Sequence, residues 1–472
     1  MTAPAPTERV LATLNADGSR RWIRPKLSKG KLWQRRRSVA FGLMVLFLAI
    51  PHFRLNGKPL MLLDLPRREF TLFGTTFLPT DTLLLMLLGI SLLIGIFLLT
   101  ALYGRVWCGW ACPQTVYMEF LFRPIERWLE GGWGGSRQMD KQRQHFHPRR
   151  LAKYAIYAVL AAILGNTFLA YFVGTDALQH WMLSSPYEEP VPFVAMAVVT
   201  LMVFLDFTWF REQTCLVACP YGRWQAVLLD KQSLIVAYDP ARGEPRRAPK
   251  KGLPIAGASA GDCVDCNACV NTCPTGIDIR DGLQMECIHC TQCADACDTV
   301  MRKVGKPEGL VRYTSKEALE GHIRHFIRPR TVLYPLAFAL FFGGFIYALE
   351  TKSKADVTIL GAIGQPFSRE PDGSVVNQVR VKIANRSNGV RRYTVELLDA
   401  DDAKLIAPEL PLTLTNGKNA ATSLFIIMPE SAFHNGTHRM TLRVTDDAGF
   451  SQLIPWRLRG PDEHERESRE HK

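Results

Sequence analysis

The sequence predicts a multi-domain membrane protein: an α-helical transmembrane bundle of about five spans, a compact cysteine-rich domain set between the last two, and a C-terminal β-sandwich. Three observations carry this. Long apolar runs alternate with stretches rich in Arg and Lys. Eight of the twelve cysteines fall between Cys263 and Cys297. Beyond residue 355 the chain changes to short stretches in which apolar and polar residues alternate, the period of a half-buried strand.

Lys and Arg number 57 against 44 Asp and Glu, a net charge of +13. Such a surplus suits nucleic acid, but the positive charges crowd beside apolar runs, as Arg35, Arg36 and Arg37 do just before Val39. That is the mark of a membrane flank, so the expected partner is the lipid bilayer and not nucleic acid.

Residues 1–37 form a polar arm in which Arg20, Arg21, Arg24, Lys26 and Lys29 accumulate, and the composition predicts a mobile segment. The run 38–53 is the first expected span, and it is short unless its flanks stretch it. No small-x-small site follows Leu48-Ala49-Ile50-Pro51, so it reads as a retained anchor and not a cleaved signal. Further spans are expected at 83–102, 151–173, 191–210 and 331–349. The loop 103–150 is rich in Arg and Lys, whereas 174–190 has neither. The positive-inside rule then places the N-terminus, the 103–150 loop and the 211–330 region in the cytoplasm of a bacterial cell whose inner membrane the chain crosses several times. Within the 103–150 loop, residues 116–128, with Glu119, Arg123, Glu126 and Arg127, read as an amphipathic stretch lying in the interface. After the last span, 355–460 reads as a periplasmic sandwich of about a hundred residues without cysteine, and 461–472 as a charged, disordered tail.

The cysteine-rich stretch, within an expected cytoplasmic domain 214–330, contains two runs of nearly equal spacing. They read Cys263-x-x-Cys266-x-x-Cys269-x-x-x-Cys273-Pro274 and Cys287-x-x-Cys290-x-x-Cys293-x-x-x-Cys297-Asp298. This is the spacing of paired bacterial [4Fe-4S] sites, in which the fourth cysteine of each run serves the other cluster. Cys263, Cys266, Cys269 and Cys297 are therefore expected to hold one cluster, and Cys287, Cys290, Cys293 and Cys273 the second. A disulfide framework belongs to small secreted domains, and zinc sites separate two C-x-x-C pairs by a longer gap. Asp298 replaces the usual second proline, which shapes the chain and binds no iron. His289 reads as a neighbour of the second cluster and not a ligand.

The other four cysteines repeat a pattern, Cys108-Gly109-Trp110-Ala111-Cys112-Pro113 and Cys215-Leu216-Val217-Ala218-Cys219-Pro220. Each follows a span that runs inward, so the first four spans read as a duplicated hairpin ending in a dithiol. On a helical turn the two sulfurs of a pair would share one face. Four soft thiolates brought together suit Cu(I), and zinc or a further iron-sulfur cluster uses the same donors. Two pairs of merely reduced cysteines are the plainer alternative, but repetition at equivalent positions favours a metal or redox role. Asp206, about a turn inside the fourth span, is a candidate proton relay or quinone contact, or else a solvated or Arg-paired carboxylate.

Taken together, the chain resembles the FixG/RdxA/CcoG family, accessory proteins of cbb3-type cytochrome c oxidase. The likeness rests on Phe53-Arg54-Leu55-Asn56-Gly57, Leu63-Asp64-Leu65-Pro66, the stretch from Val106 through Thr115, Cys215 to Tyr221, and the dicluster run through Cys297-Asp298. The resemblance implies a two-cluster ferredoxin-like domain, an immunoglobulin-like C-terminal domain, and reduction of Cu(II) to Cu(I) for the copper centre of the oxidase. By that motif Cys108, Cys112, Cys215 and Cys219 are the implied catalytic, copper-binding thiols, with copper as substrate or transient ligand. Oxidase assembly factors or copper chaperones are the implied partners. An electron conduit from quinol to another protein, and a non-enzymatic copper chaperone or assembly scaffold, are the competing functions. No Gly-rich nucleotide-binding turn follows a recognisable strand, so the sequence leaves the electron donor unidentified.

Overall fold

A computed structural model of the chain describes residues 12–15, 19–55, 57–66, 68–77, 81–142, 146–246, 261–322, 327–361, 365–387, 389–399, 402–415 and 417–462. The chain divides into two compact units, Met1–Ile346 and Tyr347–Lys472.

In the first unit, helix α1 (Lys31–Ala49) runs into a 3₁₀ turn at Ile50–His52. Its opening turns carry Lys31, Arg35, Arg36 and Arg37, so the apolar part is well short of the roughly 20 residues a bilayer crossing needs. Arg36, Ala40 and Met44 recur at helical spacing along its buried face. Four helices among the described residues are long and apolar enough to cross a membrane, and α1 is not one of them.

A small antiparallel sheet, β1 (Met61–Asp64), β2 (Glu69–Leu72) and β3 (Thr75–Phe77), leads into α2 (Thr82–Tyr103). At 1.5 Å per residue, α2 is about 33 Å long, enough to span the hydrocarbon layer. A short segment containing α3 (Arg123–Leu129) precedes α4 (Pro148–Val173), whose Pro148 needs no donor at the first helical position. Next comes α5 (Pro190–Leu205), prolonged by a π-helical turn to Phe210, and then α6 (Pro220–Leu228). The strands β4 (Ile235–Tyr238) and β5 (Val311–Thr314) pair antiparallel and close the cysteine-rich domain, which contains α7 (Ala268–Thr272) and α8 (Gln292–Lys303). The fourth long apolar helix is α9 (Pro329–Glu350).

The chain ends of these helices gather at the cysteine-rich domain. Arg105, just after α2, donates to the Cys287 carbonyl, and Arg328, just before α9, pairs with Asp230. Arg211 after α5 and Lys153 near the start of α4 both reach Glu126 on α3. The segment 116–128 is thus not an interfacial amphipathic stretch. Val116, Met118, Glu119, Phe122, Arg123 and Glu126 are all buried, because counter-charges on three other segments cover its polar stripe. The N-terminal arm also differs from a free segment. Lys26 exchanges hydrogen bonds with Asn271 and Thr272, Ile23 is buried, and Arg24 joins the ion pairs around Glu126.

The second unit is the expected sandwich. Its strands are β6 (Ala355–Gly361), β7 (Ser374–Asn385), β8 (Arg391–Leu398), β9 (Lys404–Ile406), β10 (Leu412–Leu414), β11 (Asn419–Pro429), β12 (Thr437–Asp446) and β13 (Ser451–Arg459). One sheet has the order β9-β11-β7-β6, with the short strand Ser368–Arg369 added to β7, and the other β10-β8-β12-β13. Alternate residues point inward: Val379, Val381 and Ile383 from β7 meet Leu442 and Val444 from β12 in one apolar core. Asn377 is one of the buried polar residues, with Asn385 and Thr422, and it exchanges two hydrogen bonds with the backbone of Arg459.

Candidate functional site

The two cysteine runs fold alike. In each, the second and fourth residues after the first cysteine take a left-handed conformation: Asp265 and Asn267 in one, His289 and Thr291 in the other. Non-glycine residues rarely adopt it, and here it curls the chain so that closely spaced thiols turn toward one point. Cys293 and Cys297 lie one helical turn apart on α8 yet face different cavities. One cavity is lined by Cys263, Cys266, Cys269 and Cys297. The other is lined by Cys273, Cys287, Cys290 and Cys293, with Cys269 on the wall between them.

Apolar side chains line much of both cavities, Tyr238, Met301 and Val311 around the first and Val236, Ile277 and Ile288 around the second, with Asn267 and Arg280 also at the first and Thr275 and Thr291 at the second. Among the described residues, no three ligating side chains converge on a single ion-sized point. Sulfurs spread around a void suit a polynuclear group in which each cysteine meets a different iron. Burial pushes the Cys269, Cys287 and Cys297 thiols up to about 12, so these sulfurs become thiolates only against a compensating cationic centre. The residues present fit two cubane clusters.

The dithiol repeats share their backbone in detail. One sequence offset relates Gly104 to Arg211, Cys108 to Cys215, Cys112 to Cys219 and Pro113 to Pro220. Each incoming helix ends on a left-handed residue, Gly104 with φ 63° and Arg211 with φ 54°. Each first cysteine lies in a π-helical turn, Trp107–Ala111 or Thr214–Ala218. Each second cysteine is extended and caps a helix that starts with proline. The expected α-helical i, i+4 face is therefore corrected. The wider π turn closes at Cys112 and Cys219, whose N–H groups reach five residues back to Trp107 and Thr214 at 2.8 Å.

All four of these thiols are half-buried and within electrostatic reach of one another. Burial pushes Cys108 up to about 12, with Arg105 pulling the other way, and raises Cys112 and Cys215 as well. Two glutamines absent from the sequence-based expectations lock the repeats together. Gln225 on α6 accepts from Cys108 at 3.0 Å and donates to Tyr221. Gln114, after the first motif, donates to the Arg211 carbonyl and to Asp206. Asp206, half-buried, also accepts from Thr214 at 2.5 Å, so among the described residues it is bonded to polar side chains of both copies and not to an arginine.

The first dithiol turn is docked on the second cysteine run. A Cβ at Gly109 would sit 2.6 Å from the Ile288 carbonyl, so only glycine permits this approach. Trp110 donates to the Tyr313 hydroxyl at 2.9 Å, which in turn donates to the His289 carbonyl at 3.0 Å. His289 is wholly buried, and desolvation, with Arg105 beside it, lowers its pKa to about 3, which keeps the ring neutral. The second dithiol reaches the same loop through a cavity lined by Cys215, Glu212, Thr275 and Ile288.

Comparison with known proteins supports the parts of this site. A profile described as a 4Fe-4S dicluster domain matches residues 210–316, and one described as a 4Fe-4S binding domain matches residues 85–134. A third, for the IG-like fold at the C-terminal of FixG, matches residues 345–461. Protein RdxB of Cereibacter sphaeroides is 35% identical over 410 residues, covering 83% of this chain and 84% of that protein. The nitrogen fixation protein FixG of Rhizobium meliloti is 33% identical over 482 residues, 92% of each chain. A crystal structure of a FixG-related protein from Vibrio parahaemolyticus covers 23% of this chain and 98% of its own at 14% identity, with a TM-score of 0.21, too slight a likeness to carry weight. Identity sustained over nearly the whole of both chains, with the dicluster and C-terminal domains in place, shows that the protein belongs to the FixG/RdxA family of membrane iron-sulfur oxidoreductases.

Proposed function

We propose that the protein reduces Cu(II) to Cu(I) at the paired thiols and supplies Cu(I) for the copper centre of a cbb3-type cytochrome c oxidase. The observation that carries this reading is the docking of a half-buried four-thiol group directly on the Cys287–Cys290 loop. Cys263, Cys266, Cys269 and Cys297 would hold one [4Fe-4S] cluster, and Cys273, Cys287, Cys290 and Cys293 the other. When bound, these groups supply one-electron carriers. Each turnover moves one electron onto Cu(II) and yields one Cu(I), with the electron replaced from an external reductant. Thiolates favour the softer cuprous product and so raise the driving force. Because burial keeps the Cys108, Cys112 and Cys215 thiols protonated, copper must displace protons on entering, and Arg105 beside Cys108 lowers that cost. The distribution of Arg and Lys supports a site on the cytoplasmic face of a bacterial inner membrane.

One observation favours a second reading, in which Cys108, Cys112, Cys215 and Cys219 hold a further cluster and the protein conducts electrons to a partner. The 4Fe-4S profile over 85–134 contains two of those cysteines. Iron content separates the two, at about eight per chain for two clusters and about twelve for three. To test the reductase, the oxygen-free, chemically reduced protein is given excess Cu(II) and reductant, and Cu(I) is trapped by a chelator. The expected result is many equivalents from the parent and collapse in a variant with all four thiols changed to Ser, its cluster absorbance retained. Turnover indifferent to those cysteines would sink the proposal.

A further inference from the structure

The two cavities differ sharply in the charge around them. Beside the first, Arg280 is held by two carboxylates, donating to Asp265 at 2.6 Å and to Asp278 at 2.6 Å. Asp298 lies on the same side, within electrostatic reach of Cys297. Cys266 is exposed there.

Beside the second cavity the arginines have no such partners. Arg36 is 0% exposed and donates from Nε to the Gly109 carbonyl at 2.9 Å, while both of its terminal nitrogens are buried without a hydrogen-bond partner among the described residues. Cys290 and Cys293 are within its electrostatic reach. Asp295, also near, spends its oxygens on the backbone N–H groups of Leu32 and Trp33. Arg105 is likewise buried and gives its bonds to the carbonyls of Met285, Cys287 and Gly222. Neither arginine forms an ion pair among the described residues, whereas Arg123 nearby is neutralised by Glu119 and Glu212.

A guanidinium wholly withdrawn from water is costly unless an anion compensates it. Besides the Asp295 carboxylate and the Phe120 ring face, the group among the described residues suited to compensate it is the anionic cluster that Cys273, Cys287, Cys290 and Cys293 would ligate. The converse follows from Coulomb's law: an unpaired cation beside a cluster stabilises the reduced form, which carries one more negative charge. At the first cavity the carboxylates oppose that form.

We propose that Arg36, with Arg105, makes the cluster beside the dithiols the higher-potential of the two, so that electrons enter at the exposed Cys266 side and come to rest next to the thiols. This rests on the two-cluster ligand assignment and not on copper. Arg36 is a positioning residue, acting on the electron equilibrium without touching copper.

The test is a redox titration of the full-length protein, without copper, followed by electron paramagnetic resonance on samples of known iron content. In Arg36→Met the higher potential is expected to fall, shifting the sharing of an electron between clusters on the order of tenfold, which is about 59 mV for one electron. Arg36→Lys restores most of the shift, and the lower potential stays in place in both. A fall confined to the lower potential, or no shift in either variant, overturns the proposal. Should Arg36→Met not assemble, Cys266→Ser perturbs the first cluster through an exposed ligand. The component that then moves must be the lower-potential one, and movement of the higher one contradicts the assignment. Fewer than about eight irons per parent chain would instead overturn the two-cluster reading itself.

Discussion

In the C-terminal sandwich the wholly buried side chains include Ile383, Leu424, Ile426 and Leu442, packed together in one apolar core. In the larger unit the same degree of burial includes Arg36 and Arg123, and Glu126 and Arg211 are nearly as enclosed. The sandwich is held by removal of apolar surface from water, a term without direction that needs no partner beyond the strand period. The redox unit is held by pairs. Each paired charge buried there has been taken from water and is tolerable only while its counter-charge stays in place. A fold meant to surround iron-sulfur groups and move electrons at a membrane surface accepts that fragility, since apolar walls alone offer no control over charge.

If that contrast is right, the largest effect comes from breaking the pairs. Glu126 accepts both terminal nitrogens of Arg211, at 3.0 and 3.1 Å, and also contacts Arg24 and Lys153. Glu126→Ala leaves three cations facing one another, and a loss of roughly 3–5 kcal/mol is expected by denaturation in detergent. The Arg211, Arg24 and Lys153 charges, outweighing the desolvation, hold the Glu126 carboxyl well below the usual range. Its contribution is therefore complete above the ordinary glutamate value and disappears as pH falls toward the lowered one. A parent whose redox unit keeps its full stability well below that range would contradict the pairing argument.

An intermediate effect is expected from the apolar unit. Ile383→Val removes one methylene from the sandwich core and should cost about 1 kcal/mol, with no dependence on pH or salt. A marked salt dependence there would blur the contrast. The smallest effect tests the same point from the other side. Tyr393 is fully buried with its hydroxyl unpartnered among the described residues, so Tyr393→Phe should change stability by less than about 0.5 kcal/mol or raise it. A loss of more than 1 kcal/mol would mean that the sandwich too depends on a polar pair.

The parts of this molecule legible in the sequence are those whose signal is local. Cysteine spacing led to two groups of four thiols lining two cavities, and strict alternation in residues 379–383 marked an inward-facing strand. The duplicated dithiol was visible because both copies keep C-x-x-A-C-P. What escaped depends on partners far along the chain. Arg36 reads as a membrane-flanking charge and becomes a buried one only because the Gly109 turn and α8 close over it. Glu119, Arg123 and Glu126 read as part of an interfacial amphipathic stretch until Arg24, Lys153, Arg211 and Glu212 arrive from elsewhere. Gln225 carries no signal at all, since its counterpart Gln114 sits at a different distance from its own motif.

The most direct test of the central claim, that electrons leave the protein through the paired thiols, is a single-turnover experiment. The protein, reduced and freed of excess reductant without oxygen, is mixed rapidly with Cu(II), and the return of cluster absorbance is followed with time. The account predicts fast reoxidation with one Cu(I) formed per electron, slowed at least about tenfold when Cys108, Cys112, Cys215 and Cys219 are all serine, a barrier increase of roughly 1.4 kcal/mol. Reoxidation at the parent rate in that variant would show that copper meets the electrons elsewhere.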